Sequence, residues 1–351
     1  MKKTTIILPC AGRSTRYPNL RPKYLLVNPN GNIMLIDAIS KIGHKDCQIV
    51  VSILKDHEEK YGIKEMLDKF FPELGVQICL LDSETKSQSE TVCKTIEKMG
   101  IKTPFLVKDS DNIFKMESVP ETYNYVTTNR LDDTGIINAS NKSYIICDSS
   151  GLITNIEEKK VVSNTFSVGG YYFLDPSEFV NAYHELEKMS LGREIYISTL
   201  INHLIFTKKT KFKIKPVTEY ADLGTISEWI NYKQRFRTYF VDIDGVLVKN
   251  GAEYFKPYWG TTEGIEENIK LINKLHEGGS QIILTTSRKE KYRKVTVDQL
   301  KKCGLKYDQL VMGILHSTRV LINDFTNSNP YPSAIAINIP RDSNELEKFL
   351  S

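Results

Sequence analysis

The chain has 351 residues, 40% apolar and 26% charged, with a formal charge of +4. These are the proportions of a soluble globular protein long enough for two domains. No apolar run reaches the roughly twenty residues of a membrane span, and the N-terminus leads straight into a strand-like run, so a cytoplasmic protein without a membrane partner is expected. Cys10, Cys47, Cys79, Cys93, Cys147 and Cys303 form no C-x-x-C pair, which argues against a disulfide framework or a zinc site. The basic clusters at 208–215 and 289–294 lack interleaved aromatics, so no nucleic-acid partner is expected.

In chain order, β-branched apolar runs at 5–8, 48–54, 76–81, 105–108, 144–147, 169–174 and 212–216 predict strands. Helical patterns at 58–70 and 89–99 lie between some of them. Such alternation predicts βαβ units and a largely parallel sheet with ligands at its carboxyl ends. A helical pattern from about Thr225 runs to Arg237, and a new apolar strand begins at Thr238. The expected domains are therefore 1–236 and 237–351, closely joined because no Pro/Gly/Ser-rich linker intervenes.

The first run, Thr5 to Leu8, empties into Ala11, Gly12, Arg13, Ser14, Thr15 and Arg16, and Pro22-Lys23 closes the stretch. A small-residue turn after a strand directs backbone N–H groups and cations at one point, where a polyphosphate can sit. The loop is neither G-x-G-x-x-G nor a Walker loop, which disfavours dinucleotide binding and P-loop hydrolysis. Further on, the strand at 105–108 delivers Asp109 and Asp111 at its end, an oxygen-rich pair suited to Mg²⁺. Asp222 precedes Leu223-Gly224-Thr225, where it could also cap the following helix.

Ala11, Gly12, Thr15, Arg16, Pro22 and Lys23 resemble the signature of sugar-phosphate nucleotidyltransferases, with Ser14 where that family usually has a second glycine. The resemblance covers about residues 4–232. It implies that Asp111 and Asp222 hold Mg²⁺, that Lys159 of Glu157-Glu158-Lys159 orients the acceptor phosphate, and that Gly170, in the Val168–Phe173 stretch, lies against the sugar. Gln88 would contact base or ribose. Arg16, Lys23 and Arg13 would neutralise departing pyrophosphate. The implied reaction is in-line attack of an acceptor phosphate on a nucleoside triphosphate, with no general base because that phosphate is already ionised. CTP is the favoured donor, with UTP and GTP open, and the acceptor is a sugar or polyol phosphate.

The second domain opens with Asp242 and Asp244 at the end of the apolar strand beginning at Thr238. Two residues apart on a strand, they point to one side. This segment resembles the first motif of haloacid-dehalogenase-type phosphatases. The resemblance makes Asp242 the nucleophile that forms an aspartyl-phosphate and Asp244 the general acid and base. Thr286, or alternatively Thr285, matches the hydroxyl of the second motif, and Asp324 the acidic fourth motif, so that Asp242, Asp244 and Asp324 surround Mg²⁺. The third-motif lysine is missing; Arg319, His316, Lys289 and Lys294 are the available cations. About forty residues separate the first two motifs, too few for a cap domain.

The expected fold class is therefore α/β: a nucleotidyltransferase-type mixed, mostly parallel sheet followed by a smaller Rossmann-like phosphatase domain without a cap insertion. The expected function is a bifunctional enzyme of surface polysaccharide precursor synthesis, compatible with a homo-oligomer. The alternative is a nucleotidyltransferase whose second domain is catalytically silent and serves assembly or binding.

Overall fold

A computed structural model describes residues 4–12, 17, 20–133, 139–189, 192–324 and 334–350. The chain divides into two compact units, Met1–Ile230 and Asn231–Ser351.

The first unit contains strands β1 (Thr4–Pro9), β2 (Cys47–Leu54), β3 (Gln77–Leu81), β4 (Phe105–Lys108), β5 (Asn112–Lys115), β6 (Asn124–Arg130), β7 (Ser143–Cys147), β8 (Ile153–Glu158), β9 (Thr165–Phe173), β10 (Phe212–Pro216) and β11 (Thr218–Asp222). Its helices are α1 (Met34–Ser40), α2 (Lys55–Tyr61), α3 (Ile63–Phe70), α4 (Gln88–Met99), α5 (Pro176–Met189) and α6 (Ile197–His203), and α7 (Ile226–Gln234) begins in it and ends past the division at Ile230. The main sheet runs β10-β6-β9-β4-β1-β2-β3, with β7 and β8 added beside β9. Strands β4, β1, β2 and β3 are mutually parallel, and β9 enters antiparallel between β4 and β6. This is the mixed α/β sheet that the sequence predicts.

Both faces of the sheet are covered, and strand alternation sorts the side chains between them. Ile6, Leu8 and Leu106 pack with Leu35 and Ile36 of α1 and Ile63 and Leu67 of α3. Ile7, Phe105 and Val107 pack on the other side with Val92 of α4, Phe179 of α5 and Leu200 of α6. The single helix expected over 58–70 is two helices. Gly62 takes a left-handed φ of 57° and donates its N–H to Glu58 O at 2.8 Å, closing α2 before α3 starts.

Gly43 marks a point of closest approach in this unit. Its N–H bonds Met116 O at 2.8 Å, and a Cβ there would lie 1.7 Å from Glu117 O. Gly43→Ala is expected to destabilise the first unit by about 3 kcal/mol through backbone displacement, read as a lower urea midpoint.

The second unit carries a parallel three-stranded sheet, β12 (Thr238–Asp242), β13 (Gln281–Thr285) and β14 (Gln309–Val311), in that spatial order. Helices α8 (Glu266–Glu277), α9 (Arg293–Lys302) and α10 (Glu347–Leu350) accompany it. Its core gathers Val241, Ile243, Ile272, Leu284 and Leu300. Between β12 and β13 the chain forms one α-helix, α8, and irregular loop. The apolar run Val320 to Ile322 is not a strand. It stays exposed, with Ile322 at 90%, so Asp324, matched to the acidic fourth motif, follows irregular chain.

Candidate functional site

The first unit brings two distant carboxylates together through an antiparallel ribbon. Strand β5 follows Asp111 directly, β11 ends at Asp222, and the register sets Asp222 opposite Asn112. The N–H of Leu223 closes the ribbon on Asp111 O at 2.8 Å. Each carboxylate already holds a lysine. Lys23 donates to Asp111, while Lys142 donates to Asp222 and, at 3.0 Å, to the Tyr220 hydroxyl. Asp222 also accepts from Gly224 N at 3.0 Å. The helix that follows is capped by Thr225, whose hydroxyl and N–H exchange bonds with Glu228. Asp222 is therefore free of the capping role that its position allowed.

Tyr17, which the sequence reading did not use, holds this turn from the N-terminal loop. Its hydroxyl donates to Leu223 O and, at 2.8 Å, to Thr225 O. Arg13, Ser14, Thr15 and Arg16 lie outside the described residues. Ala11 is buried among Val50, Leu54 and Leu81, so it acts as packing, and Gly12 is exposed.

Behind the carboxylates lies Lys108, the last residue of β4, fully buried. Its ammonium donates to Asp109 O at 2.7 Å, to Asn112 O at 2.9 Å and to Asn112 Oδ1, and sits 4.6 Å from the centre of the Phe114 ring. It thereby fixes the turn that presents Asp109 and Asp111. Burial draws the Lys108 ammonium down to about 8. Burial, reinforced by Asp111, pushes the Asp109 carboxyl up to about 6 against the pull of Lys108. Gln88, at the start of α4, donates to Asp109.

Asp109, Asp111 and Asp222 open into a cleft of about 160 Å³ also lined by Lys142, Glu158 and Tyr196. Glu158 accepts from Ser143 at 2.5 Å and Ser198 at 2.7 Å. Gly169 lines the cleft: its φ is 81°, and a Cβ would fall 2.2 Å from Asp109 Oδ2. Gly170, the glycine assigned to the sugar from sequence, faces Thr127 and Phe114 instead: a Cβ there would lie 2.4 Å from Thr127 Oγ1. Lys159 is exposed and donates to Oη of the cleft-lining Tyr196 at 2.9 Å, a bond that raises its pKa. Lys142 has no motif around it; only the fold identifies it.

In the second unit, β12 and β13 pair with Asp242 opposite Thr285. Thr286 follows, buried, its hydroxyl accepting from Arg288 N at 3.1 Å. Arg319 donates to Asp242 Oδ1 at 2.9 Å, whereas Lys289 is paired with Glu253 at 2.8 Å and His316 reaches Ser287 at 3.4 Å. Arg319 is thus the cation that meets the expected nucleophile. Burial pushes the Asp242 carboxyl above the usual range, opposed by Arg319. Both carboxylate oxygens of Asp244 accept from Arg288, Oδ2 from Nε and Oδ1 from Nη2, each at 2.8 Å. That bidentate engagement takes one lone pair on each oxygen and fixes the carboxylate on Arg288. Asp324 sits exposed in irregular chain.

No family model and no curated protein matches the sequence. Among solved structures, the chain is similar to a nucleoside-diphosphate-sugar pyrophosphorylase from Vibrio cholerae RC9, with 20% identity and a TM-score of 0.54 over 65% of this chain and 99% of that one. It is also similar to a Bacillus anthracis protein described as a glucose-1-phosphate thymidylyltransferase, solved with a sucrose, with 21% identity and a TM-score of 0.52 over 66% of this chain and 93% of that one. No helix among the described residues is long and apolar enough to cross a membrane. The N-terminal region of this chain has the fold of the sugar nucleotidyltransferases.

Proposed function

We propose that the first unit is a nucleotidyltransferase joining a nucleoside monophosphate, with CTP as the favoured donor, to a sugar or polyol phosphate. The observation that carries this reading is the β5–β11 ribbon, which sets Asp111 beside Asp222 at the rim of a polar cleft. Two carboxylates that each accept an ammonium form a hard-oxygen donor set of the kind Mg²⁺ takes, so Asp111 and Asp222 would hold the ion. Bound there, Mg²⁺ would supply charge neutralisation on the phosphates.

The chain's own residues do the rest. An acceptor phosphate oxygen forms a bond to the α-phosphorus as the bridge to the β-phosphate breaks, and pyrophosphate carries the electron pair away. Lys23 and Lys142 supply positive charge next to the two carboxylates, and Lys159 meets the acceptor phosphate at the mouth. The polar lining from Ser143, Ser198 and Asn112 suits a hydroxyl-rich acceptor.

The second unit, in the same proposal, hydrolyses a phosphate ester: Asp242 attacks phosphorus, the alcohol leaves, and water then cleaves the aspartyl-phosphate. Together the two activities suit precursor synthesis for a surface polysaccharide. A second reading, binding or assembly without turnover, draws on the bidentate Arg288–Asp244 pair, which occupies the carboxylate that would donate the proton. The donor set in this unit, with Asp244 engaged by Arg288 and Asp324 exposed in irregular chain, does not match a closed Mg²⁺ site, so no step is assigned to a metal there.

The test is to incubate the protein with Mg²⁺, each nucleoside triphosphate and a panel of sugar and polyol phosphates, assaying pyrophosphate and orthophosphate separately. Pyrophosphate release only in the presence of an acceptor is expected; failure of every triphosphate to give acceptor-dependent pyrophosphate would overturn the transferase reading. Asp242→Asn should remove orthophosphate release and leave pyrophosphate release intact. Equal orthophosphate release by Asp242→Asn and the parent protein would favour the silent second unit.

A further inference from the structure

A cluster of metal-binding side chains lies away from the cleft, where α4 packs on α5. Cys93 and Glu97 stand one helical turn apart on α4, and His184 faces them from α5. Their ligand atoms all lie within 4.8 Å of one another. His184 Nε2 is the hub, 2.9 Å from Glu97 Oε1 and 3.9 Å from Cys93 Sγ. Ligands of tetrahedral zinc stand about 3.3–3.6 Å apart, given metal bonds of about 2.0–2.3 Å. Side-chain shifts of about half an ångström convert one arrangement into the other for the two measured pairs.

A second feature points the same way. His184 Nδ1 faces Glu187 Oε2 at 3.5 Å. A carboxylate on the far nitrogen is the outer-shell partner that orients a metal-ligating histidine and fixes which nitrogen is presented. Glu187 therefore aims Nε2 at the point that Cys93 and Glu97 also reach.

We propose that Cys93, Glu97 and His184 form a zinc(II) site that joins α4 to α5, with Glu187 as the outer-shell partner of the histidine. The ligand set of one thiolate, one imidazole and one carboxylate suits a borderline-soft cation and leaves a fourth position for water. Burial holds the Cys93 thiol protonated at neutral pH, so occupancy replaces the S–H bond by an S–Zn bond and releases that proton to solvent. Cysteine spacing along the chain gives no sign of this site, because its two helices place Cys93 and His184 91 positions apart.

The experiment uses the full chain stripped of metal by a chelator and titrated with Co²⁺, then Zn²⁺. One Co²⁺ per chain with thiolate-to-cobalt charge-transfer absorption is expected, and Zn²⁺ should displace it and raise the thermal midpoint. Cys93→Ser should abolish the absorption, His184→Ala should weaken Co²⁺ binding at least 100-fold, and Glu187→Gln should weaken it about 10-fold or more. The exposed position of His184 keeps that variant informative should Cys93→Ser fail to fold. Absence of thiolate absorption in the parent protein, or its persistence in Cys93→Ser, overturns the site. Transferase activity enters none of these readouts, so this proposal and the functional reading stand or fall separately.

Discussion

Asp111→Asn and Asp222→Asn are each expected to lower acceptor-dependent pyrophosphate release at least 100-fold while leaving the far-ultraviolet circular dichroism unchanged. Asparagine is isosteric and keeps an oxygen for Lys23 or Lys142, so the ribbon between β5 and β11 survives. What is lost is one negative charge at the point where the reacting phosphates must be held together. Removing a single electrostatic contact of this kind costs about 3–4 kcal/mol of transition-state stabilisation, which is a factor of 10²–10³ in rate. The loss should fall on kcat more than on the KM for the triphosphate, because in the proposed reaction the two carboxylates act on the charge that develops in the transition state. Unchanged kcat in both variants would remove the two-carboxylate reading altogether.

The same substitution has a pH signature with a definite sign. Asp109 carries a pKa pushed up to about 6 by burial and then by Asp111. Neutralising Asp111 withdraws the second of these, so Asp109 should titrate at lower pH in Asp111→Asn, as followed by carboxyl-selective nuclear magnetic resonance. Asp222→Asn serves as the comparison, since Asp111 is the carboxylate that, after burial, raises Asp109 most.

Some of this architecture is legible in the sequence, for a physical reason. Strands β1, β2 and β4 are buried on both faces and read as largely apolar runs, so their ends, and with the end of β4 the position of Asp111, are easy to locate. Strand β6 is equally buried, yet it spells Asn-Tyr-Val-Thr-Thr-Asn-Arg, and its Thr127 and Thr128 give no apolar signal. The ribbon strands β5 and β11 are only four and five residues long, and the pairing that joins Asp111 to Asp222 spans more than a hundred residues. Lys108 reads from sequence as one charged residue at a strand end. Only the fold shows that three oxygens surround its ammonium. Gly169 and Gly170 are indistinguishable in sequence, and the register of β9 decides which of them meets Asp109. In the second unit the run from Val320 to Ile322 has the composition of a strand, but pairing depends on a neighbouring edge, which composition does not encode.

Arg288→Leu is expected to destabilise the second unit by about 3–5 kcal/mol, the cost of leaving one partner of a buried ion pair alone. Arg288 is 0% exposed and its partner Asp244 14%. Besides its two bonds to Asp244, the guanidinium donates from Nη1 to Thr296 Oγ1 at 3.1 Å and Gln299 Oε1 at 2.8 Å. Gln299 in turn donates to Thr262 O at 2.7 Å. One side chain therefore ties the end of β13 to α9, to the loop at Thr262 and to the turn after β12. Its removal strands a carboxylate and two acceptors in an apolar setting. Arg288→Lys keeps the charge but loses the planar fork, so it should still lose much of this stability. Asp244→Leu combined with Arg288→Leu should recover part of it, because the stranded carboxylate is gone and only Thr296 Oγ1 and Gln299 Oε1 still lack the guanidinium. By contrast, Glu253→Gln weakens the pairs with the exposed Lys289 and Lys291 while keeping an oxygen acceptor for them, and should change stability by about 1 kcal/mol or less. Urea unfolding followed by Trp259 fluorescence, with Trp229 replaced by Phe, reports this unit. A midpoint in Arg288→Leu equal to the parent's would mean that Asp244 is not held by the guanidinium, returning it to the role of proton donor in a phosphatase.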